Sequence, residues 1–189
     1  MIIVIYIKGD IMARRFILNG STEEKIITCL KAAGWYKGRC VDLTEVKAWY
    51  STFGITLPEY AKNFLKEYYG ISDSWYINEP EEESCNRAPD IEFSLYPTND
   101  EDVDEERFEQ DFAEKFDNYL SIVQSFSGEQ VFLVGHIGYY YPAMVFASQS
   151  GKIYTAHDYD DLVHCYESVP EMLKYDFVHS DKWTSVCMQ

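Results

Sequence analysis

The sequence contains one adjacent pair of residues whose side chains could together perform chemistry. Cys165 follows His164 directly, which places a thiol beside an imidazole, the two groups of a base-activated cysteine nucleophile. Neighbouring residues of a helix point in different directions, so the pair would not readily form a hydrogen bond there. The chain contains no GxSxG elbow, no phosphate loop, no HExxH helix and no GxGxxG after a strand. We therefore expect no catalytic residues and no enzymatic activity.

Metal ligation is the second chemistry to consider. Asp100, Asp102 and Asp104 occupy positions 1, 3 and 5 of a calcium-binding EF-hand loop, but position 6, which needs glycine, is Glu105. The four histidines include no i,i+4 pair, and the five cysteines include no CxxC pair. We expect no metal site and no cofactor. The odd number of dispersed cysteines is typical of a reducing compartment.

The distribution of charge is the strongest signal in the sequence. The 189 residues carry a net charge of -16, and residues 79–117 hold 16 acidic and 3 basic residues, a net of -13. Such a surface repels phosphate, so we expect no binding to nucleic acid or to a membrane. The acidic stretch is either a solvated face or a docking surface for a basic partner. The candidate partner-binding residues are Glu81, Glu82, Glu83, Asp100, Glu101, Asp102, Asp104 and Glu105.

The N-terminus and the hydropathy pattern indicate a cytoplasmic protein. The apolar residues 1–7 have no basic region before them and no cleavage site after them, and no stretch reaches the roughly 18 apolar residues of a membrane span. Residues 1–7 are predicted to be a strand, or an extension upstream of an alternative start at Met12.

Three short helices are predicted before residue 71. Ser21 to Glu24 forms a capping box before the first, Asp42 precedes the second, and Pro58 opens the third. Each helix carries one apolar face and ends at a glycine. These glycines are Gly34, Gly54 and Gly70.

The pattern then changes from period 3.6 to period 2. Strands are predicted at 75–77, 91–95 and 131–134, and a hairpin joins residues 139–148 to 153–155. The longest helix is predicted from Val103 to Phe126. Its apolar stripe comprises Phe108, Phe112, Phe116, Leu120, Val123 and Phe126. A last helix is predicted from Asp158 through Tyr166, resuming after Pro170. This order favours a single α+β domain, with helices packed on a largely antiparallel twisted sheet.

Two segments carry a resemblance to a known family. The first segment contains Ala33-Gly34-Trp35 followed by Gly38-Arg39, which match that family's motif in both residue type and spacing. The second segment runs from Phe64-Leu65-Lys66-Glu67 to Gly70. The strand ending at Gly135 and the hairpin from Gly151 to Tyr154 also fit. Over about residues 22–173 the chain resembles the third subgroup of the SUKH superfamily.

The resemblance implies a SUKH-like α+β fold and a bacterial immunity protein of a polymorphic toxin system. Such a protein binds and neutralises a cognate toxin without catalysis, here a toxin with a basic surface, for which a nuclease is one expected class. A scaffold or regulatory protein-binding module of the same superfamily is the alternative. The expected domain limits are 1–20 for an extension or extra strand, 21–178 for the immunity domain and 179–189 for a tail.

We expect the family-motif residues to serve the fold. Trp35 is expected to anchor the first helix against the sheet, and Gly34 to end that helix in a left-handed conformation. Arg39 is expected to pair with a carboxylate or to cap carbonyl groups, with a toxin contact as the alternative. The full set is Gly34, Trp35, Gly38, Arg39, Glu67, Gly70, Gly135, Gly151 and Tyr154.

Overall fold

The computed structural model describes residues 4–5, 14–16, 21–71, 73–76, 91–97, 105–138, 142–157 and 162–175. The elements in chain order are β1 (Val4–Ile5), β2 (Arg14–Phe16), α1 (Thr22–Ala32), α2 (Thr44–Thr52), α3 (Glu59–Tyr68), β3 (Asp73–Tyr76), β4 (Ile91–Leu95), α4 (Glu105–Ser127), β5 (Val131–Ile137), β6 (Ala143–Ser148), β7 (Ile153–Ala156) and β8 (Val163–Tyr166). A further helix, α5, spans residues 169–175.

The eight described strands form one sheet in which spatial order follows chain order. Strands β2 and β3 are parallel, and the other six neighbouring pairs are antiparallel. A parallel pair needs a long crossover, and helices α1 to α3 lie in the chain between these two strands. The structure confirms the predicted α+β class with a largely antiparallel sheet.

Helix α1 shows how local sequence determines both ends of a helix. The backbone N–H of Ser21 donates to Glu24 Oε2 at 2.8 Å, and the N–H of Glu24 donates to Ser21 Oγ at 3.3 Å, so the predicted capping box is present. At the other end Gly34 has a φ of +98°, and the N–H of Trp35 donates to the Leu30 carbonyl oxygen at 2.9 Å. This glycine-based cap turns the chain towards α3.

Helix α4 agrees with the predicted long helix except at the end of its apolar stripe. Phe112, Phe116 and Val123 are buried, but Phe126 is 61% exposed. At about 100° per residue, Phe126 is rotated by roughly 60° from Val123 towards the exposed Ile122. Assigning Phe126 to the core was therefore wrong.

The predicted helix through Tyr166 was also wrong. Residues Val163–Tyr166 form strand β8, which pairs antiparallel with β7 from Ile153 to Ala156. Pairing with an existing sheet edge overrode the local helical pattern, as context often does for short segments. The helix expected after Pro170 is present as α5, with Met172 and Leu173 fully buried.

An aromatic cluster joins the helices to the sheet. The ring centroid of Phe112 lies 4.6 Å from that of Trp49, and the Phe132 ring of β5 lies 5.1 Å from Tyr50 and 5.5 Å from Phe116. Perpendicular and tilted ring pairs at these distances stabilise a core beyond the area that they bury. The cluster packs α2 and α4 against β5.

Candidate functional site

The acidic residues predicted to bind a partner lie almost entirely outside the described residues. This applies to Glu81, Glu82, Glu83, Asp100, Glu101, Asp102 and Asp104. Glu105 is described, as the first residue of α4. Their role in binding stays a prediction.

The family-motif residues, by contrast, fall largely into two clusters that the structure describes. The first cluster joins the loop after α1 to the C-terminal end of α3. Arg39 Nη1 donates to the carbonyl oxygens of Glu67 at 3.0 Å and Tyr69 at 2.6 Å. The N–H of Val41 donates to the Lys66 carbonyl oxygen at 3.0 Å. The guanidinium therefore satisfies carbonyl groups at the negative end of the helix dipole.

Gly70 completes the cap that Arg39 makes on α3. Its φ is +77°, and a Cβ atom placed on it would lie 3.5 Å from Arg39 Nη2. Left-handed backbone favours glycine, so the chain reverses after α3 beside the guanidinium. Of the alternatives predicted for Arg39, the described contacts are those of carbonyl capping.

Trp35 packs on α3 in the same cluster. Its ring stacks on Tyr68, with centroids 6.4 Å apart and planes 11° from parallel, and its Nε1 donates to Glu67 Oε1 at 3.2 Å. The sequence placed Trp35 against the sheet, whereas these contacts are with a helix. Burial, reinforced by the Glu67 carboxylate, raises the pKa of Tyr68 to about 12.

The second cluster is centred on Glu129, in the turn between α4 and β5. Its carboxylate accepts hydrogen bonds from the N–H of Ser150 at 2.8 Å, from Ser150 Oγ at 2.8 Å and from the Tyr154 hydroxyl at 2.9 Å. Gly151, with a φ of +88°, forms the β6–β7 turn beside it. One carboxylate thus ties the hairpin to the end of α4.

Electrostatics follow from this arrangement. Burial alone would raise the pKa of Glu129, but the hydrogen bonds from Ser150, Tyr154 and Ser148 stabilise the charged form, and the net effect lowers it. Burial and the same carboxylate raise the pKa of Tyr154. Tyr154 therefore stays a neutral donor to Glu129 at any physiological pH.

Gly135, one of the motif residues expected to serve the fold, lies where β4 and β5 pair. A Cβ atom on Gly135 would collide with the Ser94 carbonyl oxygen and lie 2.9 Å from the Leu95 Cα atom, both in the backbone of β4. The register of β5 against β6 also shifts between Leu133 and Gly135. Glycine is needed here because β4 approaches β5 closely.

Two contributors to these contacts, Glu129 and the hydroxyl of Tyr50, were not predicted from the sequence. Tyr50 donates to the Leu133 carbonyl oxygen at 2.9 Å, next to the register shift in β5, and both residues are fully buried. Burial raises the pKa of Tyr50 well above its usual range. The apolar periodicity of α2 placed Tyr50 on the core face, but no local pattern identifies its acceptor.

The described residues bring some metal-ligating types near one another without forming a site. Ring centroids of His157 and His164 lie 6.4 Å apart. Within the described ranges, no group of three or more His, Cys, Asp or Glu residues could hold a metal ion. Cys29 is buried there, and Cys40 and Cys165 are exposed free thiols.

Over the same part of the chain, no helix is both long enough and apolar enough to span a bilayer.

Helices packed on one largely antiparallel sheet, with motif residues that hold helix ends and turns, define a small α+β domain of the SUKH type. The family model described as SUKH-3 immunity protein matches residues 22–168. Because this match covers most of the chain, the protein belongs to the SUKH-3 immunity protein family, and the predicted resemblance is confirmed. Searches of curated proteins and of solved structures gave no significant match. Family membership supports an immunity role against a toxin.

Proposed function

We propose that this protein neutralises a cognate toxin by binding it and covering its active site with an acidic surface. The observation that carries the proposal is the net charge of -13 over residues 79–117, in a member of an immunity protein family. The proposed contact residues are the eight acidic residues from Glu81 to Glu105 named above.

An acidic surface of this kind favours a toxin with a basic cleft. A nuclease needs such a cleft to hold the phosphate backbone of its substrate, so a carboxylate-rich surface competes with that substrate for the same cleft. Charge complementarity also accelerates association and suppresses wrong partners. We therefore propose a nuclease as the toxin class, within a polymorphic toxin system.

The charge is polarised along the chain, which supports an oriented encounter. Residues 21–71, which contain α1 to α3, carry 7 basic and 6 acidic residues, whereas residues 79–117 have a large acidic excess. A basic partner would be drawn to the residues of this acidic stretch and not to the helices α1 to α3. Polarised charge of this kind orients docking before contact.

Binding, not catalysis, is the proposed mode of action. The charged and polar motif residues Arg39, Glu67 and Tyr154 are engaged in hydrogen bonds that hold the fold. Residues 21–178 are the proposed immunity domain, residues 1–20 an extension or extra strand and residues 179–189 a tail. The proposed location is the cytoplasm, where the toxin would act.

The function is tested by co-expression with the product of the adjacent open reading frame, which is the candidate toxin domain encoded beside this gene. Cells that express the toxin domain alone should die, and cells that also express this protein should grow. Death in both cases contradicts the immunity role and favours a scaffold or regulatory module.

The acidic surface is tested separately by measuring association rates at low salt. The triple variant E81Q/E82Q/E83Q and the triple variant D100N/D102N/D104N should each bind the toxin domain about tenfold more slowly, with a shallower salt dependence. The control E23Q/E45Q/E59Q removes the same charge from α1, α2 and α3 and should bind like the wild type. If the test and control variants slowed association equally, the acidic residues would contribute to solubility and not to toxin binding.

A further inference from the structure

The C-terminal half of α4 is free of charge and leaves two large apolar side chains exposed. Residues 118–128 contain no charged side chain, although a quarter of all residues are charged and the preceding half of the helix, 105–117, has six acidic residues and two basic ones. The exposed residues of this segment are Asn118, Ser121, Ile122, Gln124, Ser125, Phe126 and Gly128. We call the surface that they form the neutral face.

Two large apolar side chains lie on the neutral face. Ile122 is 52% exposed and Phe126 is 61% exposed. They are four residues apart in a helix, so they are neighbours and form one apolar patch. The other exposed large hydrophobic residues of the described chain, Tyr36 and Leu162, lie far from α4 in sequence.

The helix beneath the neutral face is held rigidly. Val123 is fully buried, Phe116 is nearly so, and the Phe116 ring lies 5.5 Å from that of Phe132 in β5. Ile122 and Phe126 therefore stand on a fixed support, and little ordering would be needed on binding. Interface centres combine such apolar anchors with few charged residues.

We propose that the neutral face is the apolar centre of the surface that binds the cognate toxin, with the exposed Asp117 of the same helix at its edge. This inference rests on the proposed function, since the partner is the same toxin. Charge decides between the possible occupants. A second copy would bring two acidic proteins and two acidic helices together, which like-charge repulsion opposes, whereas a basic partner is attracted.

The test uses the double variant I122A/F126A of the full chain. Alanine is the best helix former and both side chains are more than half exposed, so the thermal midpoint should stay close to that of the wild type. Affinity for the toxin domain encoded beside this gene, measured by titration calorimetry, should fall about tenfold or more. Matched controls are Tyr36→Ala and Leu162→Ala, which are 59% and 57% exposed in the wild type and should leave affinity unchanged.

Each result has a distinct meaning. A loss of affinity in the double variant alone, with an unchanged thermal midpoint, supports the neutral face as the toxin contact. Unchanged affinity in the double variant overturns this inference while the immunity role stands. A wild type that neither binds nor neutralises the toxin domain contradicts the proposed function itself. A concentration-dependent dimer of the wild type that the double variant abolishes, seen by light scattering, would assign the face to a second copy.

Discussion

Arg39 Nη1 lies 2.6 Å from the carbonyl oxygen of Tyr69, across 30 residues of sequence. The same nitrogen reaches the Glu67 carbonyl oxygen at 3.0 Å, so one side chain in the loop after α1 caps the end of α3. Trp35 packs on the same end of α3. The loop after α1 therefore connects α1 to α3 through the contacts of Trp35 and Arg39.

Replacing Arg39 should therefore destabilise the fold. Arg39→Met keeps the length of the aliphatic stem but removes the donors, leaving two half-buried carbonyl groups without them, and we expect a loss of about 2 kcal/mol in the free energy of unfolding. Urea denaturation followed by circular dichroism measures it. The control Lys37→Met removes an exposed charge from the same loop and should change stability by less than about 0.5 kcal/mol. Equal stability of the two variants would mean that the cap contributes nothing.

Gly135→Ala should be more damaging than other glycine substitutions. The added Cβ meets the backbone of Ser94 and Leu95, which cannot move without disturbing the pairing of β4 with β5, so we expect a loss of about 3 kcal/mol. Gly151→Ala is the matched control, because nothing lies within 4 Å of its Cβ position and only the positive φ opposes it. It should cost about 1 kcal/mol.

The thermal midpoints of the two glycine variants measure their order of stability directly. If Gly135→Ala does not accumulate as a folded protein while Gly151→Ala does, the order of stability is the same. A Gly151→Ala protein that is the less stable of the two would show that backbone conformation, and not the close approach of β4, dominates.

Tyr50→Phe tests the buried hydrogen bond to β5. The substitution preserves the ring and its contacts with Phe112 and Phe132, but leaves the buried Leu133 carbonyl oxygen without this donor. We expect a loss of about 1–2 kcal/mol by chemical denaturation. Tyr36→Phe removes a hydroxyl from an exposed ring and should have almost no effect. A Tyr50→Phe protein as stable as the wild type would show that the Leu133 carbonyl finds another donor.

Local pattern predicted the elements whose signals are contained in a few neighbouring residues. The capping box at Ser21, the stripe through Phe112 and Phe116 and the β6–β7 hairpin all follow from spacing alone. Strand β8 could not be predicted in this way, because Val163–Tyr166 becomes a strand only by pairing with β7.

The long-range contacts of the motif clusters were also beyond local pattern. Glu129 meets Ser150 and Tyr154 across 21 and 25 residues, and Tyr50 meets Leu133 across 83. Donors and acceptors so far apart are brought together by the sheet register, which depends on the whole fold. The motif residues themselves were identified from the resemblance to a known family. Capping of carbonyl groups was one of the roles predicted for Arg39.

Glu129 makes the stability of the hairpin depend on pH. Because the hydrogen bonds of the folded state lower its pKa below the ordinary value of 4.5, the folded protein holds the charged form more strongly than the unfolded chain does. The stabilisation is therefore fully present above pH 4.5, and it is lost as the pH falls through the lower pKa of the folded state.

Glu129→Gln, which lacks the charge, should be less stable than the wild type by about 1 kcal/mol at pH 7. The two proteins should converge as the pH falls through the lowered pKa of Glu129 in the folded state. Thermal denaturation at pH 7, 5 and 3.5 measures the difference, with Asp117→Asn as the control for an exposed carboxylate on α4. A gap between wild type and Glu129→Gln that is constant over this range would show that geometry alone, and not the charge of Glu129, ties the hairpin to α4.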